Sequence, residues 1–406
     1  MISHHISIVN KLSSSYIMIG FFLINWSYIS FFLGGSILKT VLLLLGVTIL
    51  SIFLFQRQVK YSSLIFRISF FSFIYYTLLV LYTNIMQHNI SINLVMFGYL
   101  NCLLFLVGAL ISNNIDKILL PRSFIIKILL FLVIVGTVYY FLKGNIVRLD
   151  DNEDLYSSQK DSGINRVGLG YTNLIIFFIF YNLIGFYNKT LNKAIFFILI
   201  IIVVQLFNLQ ARGVLIYLIL ILILSNLSKF SRISSISKAI KNILLILIVL
   251  IILYSVISNY FPSYLEILNG TLERFEGIEG LFNSEKKLEP SALERKKFID
   301  FFFDNYNEFI FTGIKNYSPY PHNIFIETIE RFGIILGFPI LFSILFTSYK
   351  AFKIVYKNKK DDILINIFSM IYLYTFFQAF TSFNLENNRS LWISMGVVLF
   401  FNKQNK

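Results

Sequence analysis

The chain has 406 residues, of which 57% are hydrophobic and 14% charged, with a net charge of +14 and a mean hydropathy of +0.73. A soluble domain carries about 25% charged residues, so this composition excludes a water-soluble core inside a polar shell and implies an all-α, polytopic helical membrane protein. The basic residues sit in short loops between apolar runs, which is a topology signal and argues against a nucleic-acid partner.

In chain order, the apolar runs predict about twelve transmembrane helices in a single integral membrane domain spanning 1–406. The first seven are expected at 16–34, 36–55, 62–82, 92–112, 123–142, 171–187 and 193–209. The rest follow at 212–228, 240–260, 323–347, 363–383 and 389–402. No small-residue cleavage site follows the first run, so it is expected to be a retained span. Cys102 is the single cysteine. It lies in an apolar run, and its expected role is packing. An intrachain disulfide and a cysteine metal cluster are excluded.

Lys and Arg set the expected orientation. With both termini in the cytoplasm, Arg57, Lys60, Lys117, Arg122, Lys189, Lys193, Lys229, Arg232, Lys350, Lys353 and Lys357 all fall on the cytoplasmic side. Two long loops then face outward, 143–170 and 261–321. The first carries Asp150, Asp151, Glu153 and Asp154, acids that suit either solvation or a divalent ion. In the second, Ser291 to Tyr306 reads as a helix lying on the membrane surface, with Leu293, Phe298, Phe301 and Phe302 on one face.

The segment Pro321-His322-Asn323 closes the second loop and leads into Glu327, Glu330, Arg331 and Gly333 at the mouth of an apolar span. Ionisable groups so close to lipid are costly and mark function by default. His322 is the best general-base candidate, since imidazole exchanges a proton near neutral pH. Asn323 is a capping type, and Glu327 and Arg331 are spaced to pair at i,i+4. A capped helix with a structural ion pair beside an idle histidine fits the same residues. Gly333 and Gly337 are spaced to admit a second helix closely. Arg212 stands between two apolar runs with almost no loop, which suits either an anion-binding residue or an anchor reaching the interface. Arg166, beside Gly168 and Gly170, and Arg295, in the surface helix, complete a set of external cations. A lipid-linked diphosphate needs that combination of cations, apolar walls and a base. No His-Glu-x-x-His pattern is present. Nor is there a matched pair of broken spans of the kind many transporters show.

On these residues the chain resembles the superfamily of Wzy-type O-antigen polymerases and O-antigen ligases. The matching features are the many spans, the large late external loop, His322-Asn323 followed by Gly333, Arg212-Gly213 opening a span, and Arg295 in the loop helix. Leu336 and Ile216 depart from the family pattern. The resemblance implies a GT-C-like architecture in the bacterial inner (plasma) membrane, with the large external loop between the ninth and tenth spans and the active site on the periplasmic or external face. It implies a donor glycan on polyprenyl diphosphate and an inverting transfer needing no metal and no cofactor. In that scheme His322 deprotonates the acceptor hydroxyl, Arg212 and Arg295 hold the diphosphate, and Arg166 is a further contact. The partners implied are the polyprenyl-diphosphate-linked oligosaccharide, membrane lipids and a chain-length regulator. Polymerase is the leading expectation, with ligase as the alternative on the same donor. A flippase or other transporter is the alternative from a different class.

Overall fold

The computed structural model describes residues 12–25, 36–54, 62–87, 92–115, 118–144, 166–208, 212–227, 290–314, 323–357, 363–381, 385 and 388–401. These form twelve helices. They are α1 (Ser14–Asn25), α2 (Ser36–Leu54), α3 (Ser63–Gln87), α4 (Ile92–Asn113), α5 (Ser123–Gly144) and α6 (Arg166–Leu183). The remainder are α7 (Lys189–Asn208), α8 (Arg212–Leu227), α9 (Pro290–Phe309), α10 (Ile324–Lys357), α11 (Ile363–Ala379) and α12 (Arg389–Phe400). Among the described residues the one strand pairing is a short parallel bridge of Leu12–Ser13 with Ile118–Leu119.

Among the described residues, four stretches are long and apolar enough to cross a membrane: Ser63–Ile85, Val95–Asn113, Lys189–Leu206 and Ile324–Lys357. Shorter apolar helices occupy α1, α2, α5, α6, α8, α11 and α12. Helix is what a lipid environment demands, because it satisfies backbone N–H and C=O groups within the segment. The outward side chains agree. Phe66 and Ile335 are each 66% exposed and Phe71 is 64% exposed, a surface that lipid accepts and water does not. The expected span 240–260 lies outside the described residues, as do most of the loops 143–170 and 261–321.

At the centre is α11, buried continuously from Leu364 to Thr375 and packed against α6, α8, α10 and α12. Tyr374 sits among Tyr171, Phe178 and Tyr217, and the Tyr372 hydroxyl donates to Ile344 O at 2.6 Å. The tightest helix crossing is α4 on α12. A Cβ on Gly108 would lie 2.1 Å from Ile393 O, and one on Gly396 would lie 2.2 Å from Phe105 O. Small residues let backbones approach where apolar side chains gain nothing by leaving lipid.

Hydrogen bonds sort the helix ends. Thr172 Oγ1 donates to Asn25 O at 2.7 Å, and Ser390 Oγ donates to Asn25 Oδ1. Tyr217 and Thr381 share a bond of 2.7 Å, and Asn101 Nδ2 donates to Leu385 O at 3.1 Å. One end of the bundle therefore gathers the C-terminal ends of α1 and α11 and the N-terminal ends of α4, α6, α8 and α12. At the opposite end, Tyr187 bonds Pro121 O at 2.8 Å and Lys350 bonds Leu399 O at 2.7 Å. Arg122, Lys189, Lys193, Lys353 and Lys357 are exposed there.

Candidate active site at one end of the bundle

The Asn323 side chain starts α10 as expected. Its Oδ1 accepts from Phe325 N at 2.9 Å and Ile326 N at 3.2 Å, which satisfies two of the free donors of the first turn. One turn on, Glu327 Oε1 accepts from Arg331 Nη1 at 2.8 Å, with both side chains buried. The other carboxylate oxygen, Oε2, accepts from Leu385 N at 3.1 Å. The pair thus ties α10 to the segment between α11 and α12. Arg331 also stacks on the Phe332 ring at 5.0 Å. Glu330 is 1% exposed, and its Oε2 is buried without a hydrogen-bond partner among the described residues.

The expected apolar span at 323–347 falls within Ile324–Lys357, and the structure adds a break near its start. α10 is broken at Gly333, whose φ is 67° and ψ 175°, a combination that essentially only glycine adopts. Glu327, Glu330 and Arg331 belong to a short first part, 324–332. The second part, 334–357, is by itself about 36 Å long at 1.5 Å per residue. Hydrogen bonding explains the break. In a continuous helix Ile334 N would donate to Glu330 O. Instead Ile334 N donates to Ile310 O and Ile314 N donates to Glu330 O, each at 2.6 Å. One helical bond is replaced by two bonds to the chain leaving α9, paired in antiparallel sense.

Two glycines permit that crossing. A Cβ on Gly333 would lie 2.1 Å from Phe311 O, and one on Gly313 (φ 79°) would lie 2.6 Å from Arg331 O. The expectation that Gly333 and Gly337 admit a second helix is therefore corrected. Gly333 admits the extended segment 310–314, and Gly337 faces Thr328 of its own helix across the bend. From α3, the Tyr82 hydroxyl donates to Thr312 O and the Tyr75 hydroxyl to Leu336 O, holding the crossing from the side.

The surface helix expected at Ser291–Tyr306 is α9. Its inward face is Phe298, Phe302 and Phe309, whereas Phe301 is 41% exposed. Phe309, one turn beyond the expected end, takes the buried place because it shares the azimuth of 298 and 302.

His322 lies outside the described residues, directly before the Asn323 cap in sequence. For Arg166, Arg212 and Arg295 the description extends to the helical backbone. Arg166 is the first residue of α6 and Arg212 the first of α8. Both helices begin at the end of the bundle that also holds Leu385, the partner of Glu327. Helix N-termini carry partial positive charge and free N–H groups, so helices that begin on arginine at one end suit an anion.

Sequence reasoning passed over Arg389, the first residue of α12, whose guanidinium carbon lies 4.9 Å from the Phe97 ring centroid. The signal was the same as for Arg212, an arginine opening an apolar run. It also passed over Asn25, Thr172 and Ser390, which join three helix ends at this site, and these small polar residues carry no distinctive pattern.

No protein-family model, curated protein or solved structure matches the chain.

Proposed function

We propose that the chain is a polymerase of bacterial surface polysaccharide. It transfers a glycan from polyprenyl diphosphate to the next lipid-linked repeat unit. One observation carries the reading. Two helices that begin on arginine, α6 and α8, reach the same end of a membrane-type bundle as the Asn323-capped, ion-paired helix that follows His322. Exposed Arg122, Lys189, Lys193, Lys353 and Lys357 at the opposite end favour the cytoplasmic side for that end, and with it an external face for the proposed site.

In this reading His322 takes the proton of an acceptor hydroxyl while its oxygen attacks the anomeric carbon. The bond from that carbon to the diphosphate oxygen breaks, with inversion, and polyprenyl diphosphate leaves with its charge held by Arg166, Arg212 and Arg295. Glu327, Glu330, Arg331 and Gly333 hold the short helix that follows His322, and so position the base.

The break at Gly333 gives a transporter reading one point of support, since discontinuous helices are a transporter device. Transporter breaks lie near the midplane and come in related pairs. Here the broken part sits at the bundle end, and the stretch beyond it is long enough to span on its own.

The test uses the purified full-length chain in vesicles with lipid-linked repeat units extracted from the host. A polymerase releases polyprenyl diphosphate in step with each unit joined, and a flippase releases none. Release without any joining would refute the reading.

A further inference from the structure

Arg389 is held more firmly than a surface arginine. The backbone around it is tied on both sides. Asn388 Oδ1 accepts from Leu391 N at 3.3 Å, Ser390 bonds Asn25, and the Trp392 indole donates to Leu385 O at 2.9 Å. The side chain is half-buried over the Phe97 ring. Its Nε is buried with no hydrogen-bond partner among the described residues. A dry guanidinium nitrogen lacking an acceptor is an unusual thing for a protein to keep, and charged groups at membrane depth mark ligand paths.

Its surroundings are those of the candidate site. Phe97 lies one turn before Asn101, which bonds Leu385 O, and Leu385 N bonds Glu327. Through Ser390, Asn25 and Thr172 the start of α12 also adjoins the first turns of α6, the helix that begins with Arg166. A guanidinium laid on an aromatic ring keeps its fork in one plane, which suits paired phosphate oxygens, and the N-terminus of α12 adds to the local positive potential.

We propose that Arg389 is a phosphate-binding residue that takes oxygens of the diphosphate linking the donor glycan to its polyprenyl carrier. The identity of the anion rests on the function proposed above. The lack of a hydrogen-bond partner for its Nε among the described residues does not. Lipid headgroup phosphate offers the same chemistry, so the experiment separates the two sources.

The full-length protein is placed in phosphatidylcholine nanodiscs and titrated with farnesyl diphosphate, reading the unfolding temperature. The wild type is expected to be stabilised. Arg389→Gln and Arg389→Lys are expected to need at least tenfold more ligand for the same shift, with unliganded unfolding temperatures near the wild type. If Arg389→Gln unfolds without ligand, Arg389→Lys carries the test, because it keeps the charge and loses the fork. Unchanged titration in a folded variant overturns the proposal. So does a variant effect confined to phosphatidylglycerol discs, which would make Arg389 a headgroup anchor. No wild-type response to farnesyl diphosphate would overturn both this proposal and its diphosphate donor. Loss of binding in the variants, in a protein that releases no polyprenyl diphosphate in the vesicle assay, would keep the anion site and overturn only the polymerase reading.

Discussion

Gly333→Ala tests the packing at the break. The added Cβ would meet backbone atoms only, at 2.1 Å from Phe311 O, 2.3 Å from Phe311 C and 2.5 Å from Thr312 N, so no side chain can swing away to relieve it. A non-glycine residue in this backbone region costs about 1–3 kcal/mol. Moving the 310–314 segment away also sacrifices the bonds Ile334 N–Ile310 O and Ile314 N–Glu330 O, each worth about 1 kcal/mol. The expected loss is therefore about 3–5 kcal/mol, concentrated at the crossing of α9 and α10. Gly185→Ala is the control. Gly185 also has positive φ, 91°, but nothing lies within 4 Å of its Cβ position, so only the backbone cost of about 1–2 kcal/mol applies. The assay is thermal unfolding in detergent, together with limited proteolysis around residues 310–314. Gly333→Ala is expected to lower the unfolding temperature well beyond Gly185→Ala and to open that segment to cleavage. Equal effects of the two substitutions would refute the argument that the crossing is built on glycine.

Two further predictions concern the ion pair and the orientation. Glu327→Gln leaves Arg331 buried without its counter-charge and is expected to cost about 3–5 kcal/mol. In the cycle of Glu327→Gln, Arg331→Met and the variant carrying both, read by unfolding, the double variant should lose much less than the two single losses combined. Additive losses would mean that the 2.8 Å contact carries no coupling. In a Cys102→Ala background, Thr312→Cys in spheroplasts is expected to react with an impermeant maleimide, and Lys357→Cys is expected to react only after lysis. The reverse pattern would invert the orientation and remove the proposed site from the external face.

Much of the architecture was legible because apolar length is a strong signal. The expected spans at 36–55, 92–112, 123–142 and 212–228 recur as α2, α4, α5 and α8 within a few residues. The Asn323 cap and the Glu327–Arg331 pair were legible because both are local and obey helical spacing. The break at Gly333 was not. The sequence there is apolar and helix-compatible on both sides, and what breaks it is a distant segment, 310–314, that takes over the hydrogen bonds of Glu330 and Ile334. A glycine pair four residues apart pointed to helix packing and gave no hint of a strand-like crossing. The inward face of α9 was off by one position because Phe301 and Phe302 are adjacent aromatics, and only packing chooses between them. Arg389 opens an apolar run as Arg212 does, but what distinguishes it, packing on Phe97 of a helix far away in the chain, is a tertiary contact with no local pattern.

The glycan ladder of the native host tests the central claim most directly. The gene is deleted and restored as wild type, His322→Ala or Arg212→Ala, with expression of each confirmed. Deletion is expected to leave single repeat units, with only the wild type restoring long chains. Long glycan accumulating on the lipid carrier after deletion would point to a ligase instead. An unchanged ladder, or full restoration by both variants, would contradict the account.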